Sequence, residues 1–250
     1  MRNLRILFLG DSITALNTTE RGWVGYFNKI IKPAHFVNLA VSGARLSSSL
    51  NPVELDGEPL FLGENTDYDQ NVLLNQVEKL SRGKDEHNKH YEHNPDYDNF
   101  DLIIIAAGTN DWFCKEKCNM DDIERQFTSR GATVPISDVD PFTWPGAIRK
   151  IYEILRGYYP NAKIFFCAPI QANESKRPYS EILYKRNLMR AICDRISDVT
   201  FLDTFSCGIC GIYEKNGENG RDLIDGLHPN ISGAIKIGEY NARALYNHIR

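Results

Sequence analysis

Five short apolar runs, set between segments with helical periodicity, constrain the fold of this 250-residue chain more than any other feature. The runs cover residues 4–9, 36–41, 102–107, 164–168 and 199–202. Each is nearly continuous in apolar residues rather than alternating. That is the pattern of parallel strands covered on both faces. Between them, Ile148, Ile151, Tyr152 and Leu155 recur at helical spacing, as do Leu73, Val77 and Leu80. Ile182, Met189, Ile192, Cys193 and Ile196 form a looser stripe. Near the end, Ile231, Ala234, Ile235, Gly238, Ala242, Leu245 and Ile249 share one helix face. Asn230 stands before that helix, where its side-chain oxygen can accept from an orphan backbone N–H. Strand–helix alternation of this kind predicts an α/β fold, with a parallel sheet between helices.

In an open parallel sheet the ligand crevice lies outside the carboxyl ends of the strands. The residues just after each apolar run are therefore the ones to read for chemistry. The first run leads into Gly10-Asp11-Ser12, the second into Ser42-Gly43-Ala44-Arg45, and the third into Gly108-Thr109-Asn110-Asp111. Asp225-Gly226-Leu227-His228-Pro229 precedes the last helix. Ester hydrolysis needs a nucleophile, a base to take its proton, a group to orient that base, and donors for the oxyanion. Ser12 is the candidate nucleophile and His228 the base, since imidazole titrates near physiological pH. Asp225, three residues before His228, can turn back to hold the imidazole in one tautomer. The backbone N–H groups of Ser12 and Gly43 and the amide of Asn110 are candidate oxyanion donors. Asp11 reads as a structural residue that bonds backbone around the turn.

These blocks resemble the SGNH hydrolases, also called the GDSL lipase/acylhydrolase family. The family letters fall on Ser12, Gly43, Asn110 and His228, and the Asp-x-x-His pair on Asp225 and His228. The blocks keep the family order from residue 10 to residue 229, so the resemblance spans nearly the whole chain. It implies a three-layer α/β/α sandwich around a five-stranded parallel sheet, of flavodoxin-like form. It also implies hydrolysis without metal or cofactor, through an acyl-enzyme on Ser12. The Gly-x-Ser-x-Gly elbow of α/β-hydrolases is absent from the sequence. Sites at residues 12 and 228 join both ends of the chain, so one domain over residues 1–250 is expected.

Other residues carry weaker signals. Arg45, Trp112 and Phe113 lie beside the third and second blocks and are candidate substrate contacts. Cys114 and Cys118, and Cys207 and Cys210, follow strands on the same side of the sheet. Four thiolates can bind zinc, but the spacings are irregular and a strand should separate the pairs, which favours free thiols. His87, His90 and His93 sit in a highly charged segment without apolar periodicity and read as part of a solvated loop.

Composition narrows the partners. A formal net charge of −4 gives no electrostatic footprint for nucleic acid. No run approaches the ~20 apolar residues that a membrane span requires. The first apolar run is below the ~7–15 residues of a signal-peptide core and no small-residue cleavage site follows, so a cytoplasmic location is expected. The Asn17, Asn173 and Asn230 sequons then carry no meaning. No Gly-x-Gly-x-x-Gly or Walker-type loop supports nucleotide binding. The expected partner is a small-molecule or carbohydrate ester. Acidic residues Glu54, Asp56, Glu58 and Glu64 in the long connection 44–100 lean toward O-acetyl groups on a sugar, with a lysophospholipase or thioesterase activity as the alternative. A non-catalytic binding module on the same fold would predict a damaged triad, and none is visible. The sequence leaves the oligomeric state open.

Overall fold

The structure, a computed structural model, describes residues 3–16, 22–47, 53–55, 58–60, 72–78, 80, 94–111, 119–129 and 132–249. In chain order its elements are β1 (Arg5–Gly10), α1 (Ser12–Ala15), α2 (Trp23–Ile31), β2 (His35–Asn38), β3 (Val53–Leu55), β4 (Glu58–Leu60) and α3 (Leu73–Glu78). Then follow β5 (Leu102–Ala106), α4 (Asp122–Phe127), β6 (Thr128–Ser129), β7 (Ala132–Thr133), α5 (Trp144–Tyr158), β8 (Lys163–Cys167), α6 (Tyr179–Cys193), β9 (Val199–Leu202) and α7 (Ile231–Ile249).

The five apolar runs pair into one parallel sheet in the order β2-β1-β5-β8-β9. Ile6 registers with Phe36 on one side and Leu102 on the other, and Ile164 registers with Val199. Side chains alternate across the pleat. Leu7, Leu9, Ile103, Ile105, Ile164 and Phe166 pack with α3, α5 and α6. Ile6, Phe8, Leu102, Ile104, Phe165 and Cys167 pack with α2 and α7. The result is a helix–sheet–helix sandwich, and it explains why the central runs are apolar throughout. The expectation of burial on both faces fails at the two edges. β2 and β9 have a neighbour on one side only, and Phe36 on β2 keeps 37% of its surface exposed.

The predicted helices are present, and Asn230 Oδ1 accepts the Gly233 N–H at 3.1 Å to cap α7. The helix α2, absent from the sequence expectation, buries Trp23, Val24, Phe27 and Ile31. Trp23 and Phe27 meet Phe8 edge to face, with centroids 5.6 and 5.5 Å away. Such pairs add about 0.5–1.5 kcal/mol beyond the area they bury. Gly238 lets α7 lie close on α2, because a Cβ there would stand 2.6 Å from the Trp23 carbonyl oxygen. Two long connections, 44–100 and 111–141, hold further structure: β3 and β4 pair antiparallel in the former, and β6 and β7 in the latter.

Candidate active site

The nucleophile turn begins where β1 ends. A Cβ on Gly10 would lie 2.2 Å from the Ala106 carbonyl oxygen, so only glycine lets β1 leave the sheet beside β5 here. The buried amide of Gln76 grips both peptide groups of Gly10: its Oε1 accepts the Gly10 N–H at 3.0 Å and its Nε2 donates to the Gly10 carbonyl at 2.8 Å. Asp11 then caps the short helix α1 by accepting the Ile13 N–H at 3.0 Å. That is the structural role expected of it. Ser12 is the first residue of α1 and half-buried.

The loop before α7 supplies the other side. Ser12 Oγ and His228 Nε2 are 2.9 Å apart. On the far edge of the ring, His228 Nδ1 is 2.9 Å from Asp225 Oδ2. The other Asp225 oxygen accepts the backbone N–H of Leu227 at 2.9 Å and of His228 at 2.8 Å. Burial raises the Asp225 carboxyl, but the His228 N–H, the imidazole and the Leu227 N–H outweigh it and hold the group down at about 2. Asp225 is therefore an anion across the neutral range. The Glu214 carboxylate braces this loop from behind, accepting the N–H groups of Asp222 and Leu223 at 3.0 and 2.9 Å.

The second and third blocks meet across the crevice. Ala44 donates to the Val41 carbonyl at 3.1 Å, closing a turn in which Gly43 takes φ +79°. That conformation favours glycine. Asn110 Nδ2 donates to the Ala44 carbonyl at 3.0 Å and leaves a second amide hydrogen for another acceptor. The fully buried Asp111 carboxylate accepts the N–H groups of Leu46 and Ser47 at 3.0 and 3.1 Å, and the Ser47 hydroxyl at 3.0 Å. It locks the two post-strand loops together. Gln76, Asp111 and Glu214 are supports that sequence reading missed. Gln76 and Asp111 bond backbone more than sixty residues away, and Glu214 bonds backbone eight and nine residues on, spacings that match no local motif.

Asp11 is the other perturbed group at the site. Burial, the largest influence, and the nearby Asp111 carboxylate push its carboxyl up to about 7, against smaller opposing effects of Ile13, Thr109 and His228. Arg45 is buried, with 3% of its surface exposed, and its carbonyl accepts the Leu73 N–H at 2.9 Å. Trp112, Phe113, Cys114, Cys118, His87, His90 and His93 lie outside the described residues. Cys207 and Cys210 are free thiols. Among the described residues, no group of three or more His, Cys, Asp or Glu is arranged to hold a metal ion. No described helix is long and apolar enough to cross a membrane.

No curated protein matches the chain. Solved structures share its fold. A possible lipase from Chitinophaga pinensis superposes with a TM-score of 0.63 at 17% identity, covering 98% of both chains. A carbohydrate esterase family 2 enzyme with a carbohydrate-binding domain from Corynascus thermopiles (Myceliophthora fergusii) gives a TM-score of 0.58 at 16% identity. There the match covers 98% of this chain and 66% of the other, so this chain spans just under two thirds of that protein. A family two carbohydrate esterase from Clostridium thermocellum, solved with cellohexaose, gives a TM-score of 0.52 at 16% identity, with 98% of this chain and 64% of that one covered. The model of the GDSL-like lipase/acylhydrolase family matches residues 8–234, a span that holds all four blocks and runs from within β1 into α7. The chain belongs to that family of ester-bond hydrolases.

Proposed function

We propose that the protein is a serine esterase that releases a small acyl group, an O-acetyl group above all, from a carbohydrate alcohol. One observation carries the catalytic half. A hydroxyl, an imidazole and an ionised carboxylate stand in series at 2.9 and 2.9 Å. In this reading Ser12 Oγ attacks the ester carbonyl carbon as its proton passes to His228 Nε2. Asp225 holds the imidazole tautomer and steadies the imidazolium that forms. The oxyanion takes hydrogen bonds from the N–H groups of Ser12 and Gly43 and from the Asn110 amide. The intermediate collapses, the C–O bond breaks, and the imidazolium gives its proton to the departing alcohol. Water, deprotonated by His228, then attacks the acyl carbon and returns Ser12 to its hydroxyl. A binding module would have no need of this alignment.

The substrate half rests on two supports. The fold is similar to that of carbohydrate esterases. In addition, a cavity of about 410 Å³ beside Asp111 is lined by Asn119, Ser180, Glu181, Tyr184 and Lys185. Glu181 and Lys185 pair with each other at 2.9 Å, and the Asn119 amide, the Ser180 hydroxyl and the exposed ring of Tyr184 are groups that a sugar can meet. A series of p-nitrophenyl esters from acetate to octanoate tests the reading. Highest kcat/KM on acetate, with acetate released from an acetylated oligosaccharide, is the expected outcome. Highest kcat/KM on octanoate would replace it with acyl-chain chemistry.

A further inference from the structure

Beneath the Ser12 turn, on the face of the sheet covered by α2 and α7, lies a cavity of about 20 Å³. Its polar lining is Asp11, Trp23, Thr109, Thr204 and Asn241, among apolar neighbours. Three polar atoms of these side chains are buried without a hydrogen-bond partner: Asp11 Oδ2, Trp23 Nε1 and Asn241 Nδ2. Trp23, Asp11 and Asn241 are each at most 1% exposed. Buried polar groups are almost always bonded, so three orphans on one small cavity call for a shared partner.

Their chemistry selects that partner. The indole N–H and the Asn241 amide can only donate, and the Asp11 oxygen can only accept once its carboxyl is ionised, above about pH 7, where the measurements below are made. Asn241 cannot turn its oxygen inward without cost, because its Oδ1 accepts the Thr204 hydroxyl at 2.7 Å. Two inward donors exclude a cation. The volume excludes an organic anion but exceeds the ~10–15 Å³ that one water needs. A water accepts two hydrogen bonds and donates two. It satisfies all three orphans, with the Thr204 oxygen on the same wall as acceptor for its remaining proton.

We propose that this cavity binds one structural water, and that the water ties the Ser12 turn to α2 and α7 and so positions Ser12 against His228. Asp11 directly precedes Ser12 and caps its helix. Asn241 lies on α7, which starts three residues after His228. Gly238, one turn earlier on α7, permits the close α2–α7 contact that brings Trp23 and Asn241 to the same cavity. The water thus closes a ring from the serine turn, through α7, to the histidine loop and back across the 2.9 Å Ser12–His228 contact. Asp11, Trp23 and Asn241 are positioning residues here. The positioning half rests on Ser12 and His228 being nucleophile and base; the water site does not.

Nuclear magnetic resonance on the full, uniformly ¹⁵N-labelled chain tests both halves. The chain has three tryptophans, and Trp23→Phe assigns the Trp23 indole signal. A cross-peak between a long-lived water and the Trp23 indole proton is expected in the wild type and should vanish in Asn241→Leu. With p-nitrophenyl acetate, Asn241→Leu and Trp23→Phe should each lower kcat about tenfold while KM stays within about twofold, as expected when reacting groups are slightly misplaced. No water cross-peak in the wild type overturns the site. A cross-peak lost in Asn241→Leu while kcat is unchanged overturns the positioning role. If Asn241→Leu does not fold, the wild-type cross-peak decides the site and kcat of Trp23→Phe decides the positioning. A wild type with the cross-peak but no esterase activity would refute the catalytic reading and leave the water site standing.

Discussion

His228 Nε2 stands 2.9 Å from the hydroxyl of Ser12 although 216 positions of sequence separate the two residues. The serine hangs from the carboxyl end of β1, and the histidine from the loop that enters α7. Both reach the same end of the sheet because parallel strands all present their carboxyl ends there. The distance is set by supports on either side: Gln76 and Asp11 under the serine, Asp225 and Glu214 behind the histidine.

Asp225→Asn should lower kcat by about 10²–10⁴-fold with KM little changed, because the imidazole loses the anion that fixes its tautomer. Steady-state kinetics on p-nitrophenyl acetate measure it. A loss confined to KM would mean that Asp225 contacts substrate instead.

Asn110→Ala should lower kcat by about 10²–10³-fold, the usual cost of one oxyanion donor. The same change removes the bond to the Ala44 carbonyl, so the melting temperature should be compared in parallel. Full activity in a stable Asn110→Ala would remove this amide from the oxyanion hole.

Asp11 makes stability depend on pH with a definite sign. Its carboxyl is held up at about 7 in the fold, against about 4 in an unfolded chain. Between those values the folded chain keeps a proton that the unfolded chain has lost. Stability therefore falls as pH rises from about 4 to about 7. Asp225, held down at about 2, acts in the opposite sense: its contribution is present above about pH 4 and is lost as pH falls toward 2. Urea midpoints at about pH 5 and pH 7 should converge in Asp11→Asn, whereas the wild type should be less stable at the higher value. Equal slopes in the two proteins would argue against the raised carboxyl.

Gly238→Ala should destabilise the fold by about 1–3 kcal/mol, as overpacking does when backbone must move. The added Cβ would stand 2.6 Å from the Trp23 carbonyl oxygen, and α7 would have to withdraw from α2. Denaturant unfolding measures the change. An unchanged midpoint would show that the α2–α7 contact is loose.

Much of this arrangement was legible in the sequence for a simple reason. Ser12, Gly43 and Asn110 each follow an apolar run, and Asp225 and His228 precede a capped helix, so topology alone assigns them to one crevice. The central strands were legible because β1, β5 and β8 are covered on both faces. Other features left no such mark. The edge strands look like central ones in sequence, since Phe36 is apolar whether or not a helix covers it. The α2 stripe of Trp23, Val24, Phe27 and Ile31 is short and lacks a side-chain cap. Gln76 and Asp111 act across gaps of 66 and 65 residues, and only the folded chain brings their side chains to the loops they hold.

The most direct test of the catalytic claim is covalent labelling by a fluorophosphonate, followed by mass spectrometry of the digested chain. Such reagents form a bond with a serine oxygen that a neighbouring base activates. One adduct per chain is expected, on the peptide that contains Ser12, with esterase activity lost in step. His228→Ala should label far more slowly. Full esterase activity in Ser12→Ala, or an adduct on another residue that tracks the loss of activity, would contradict the account.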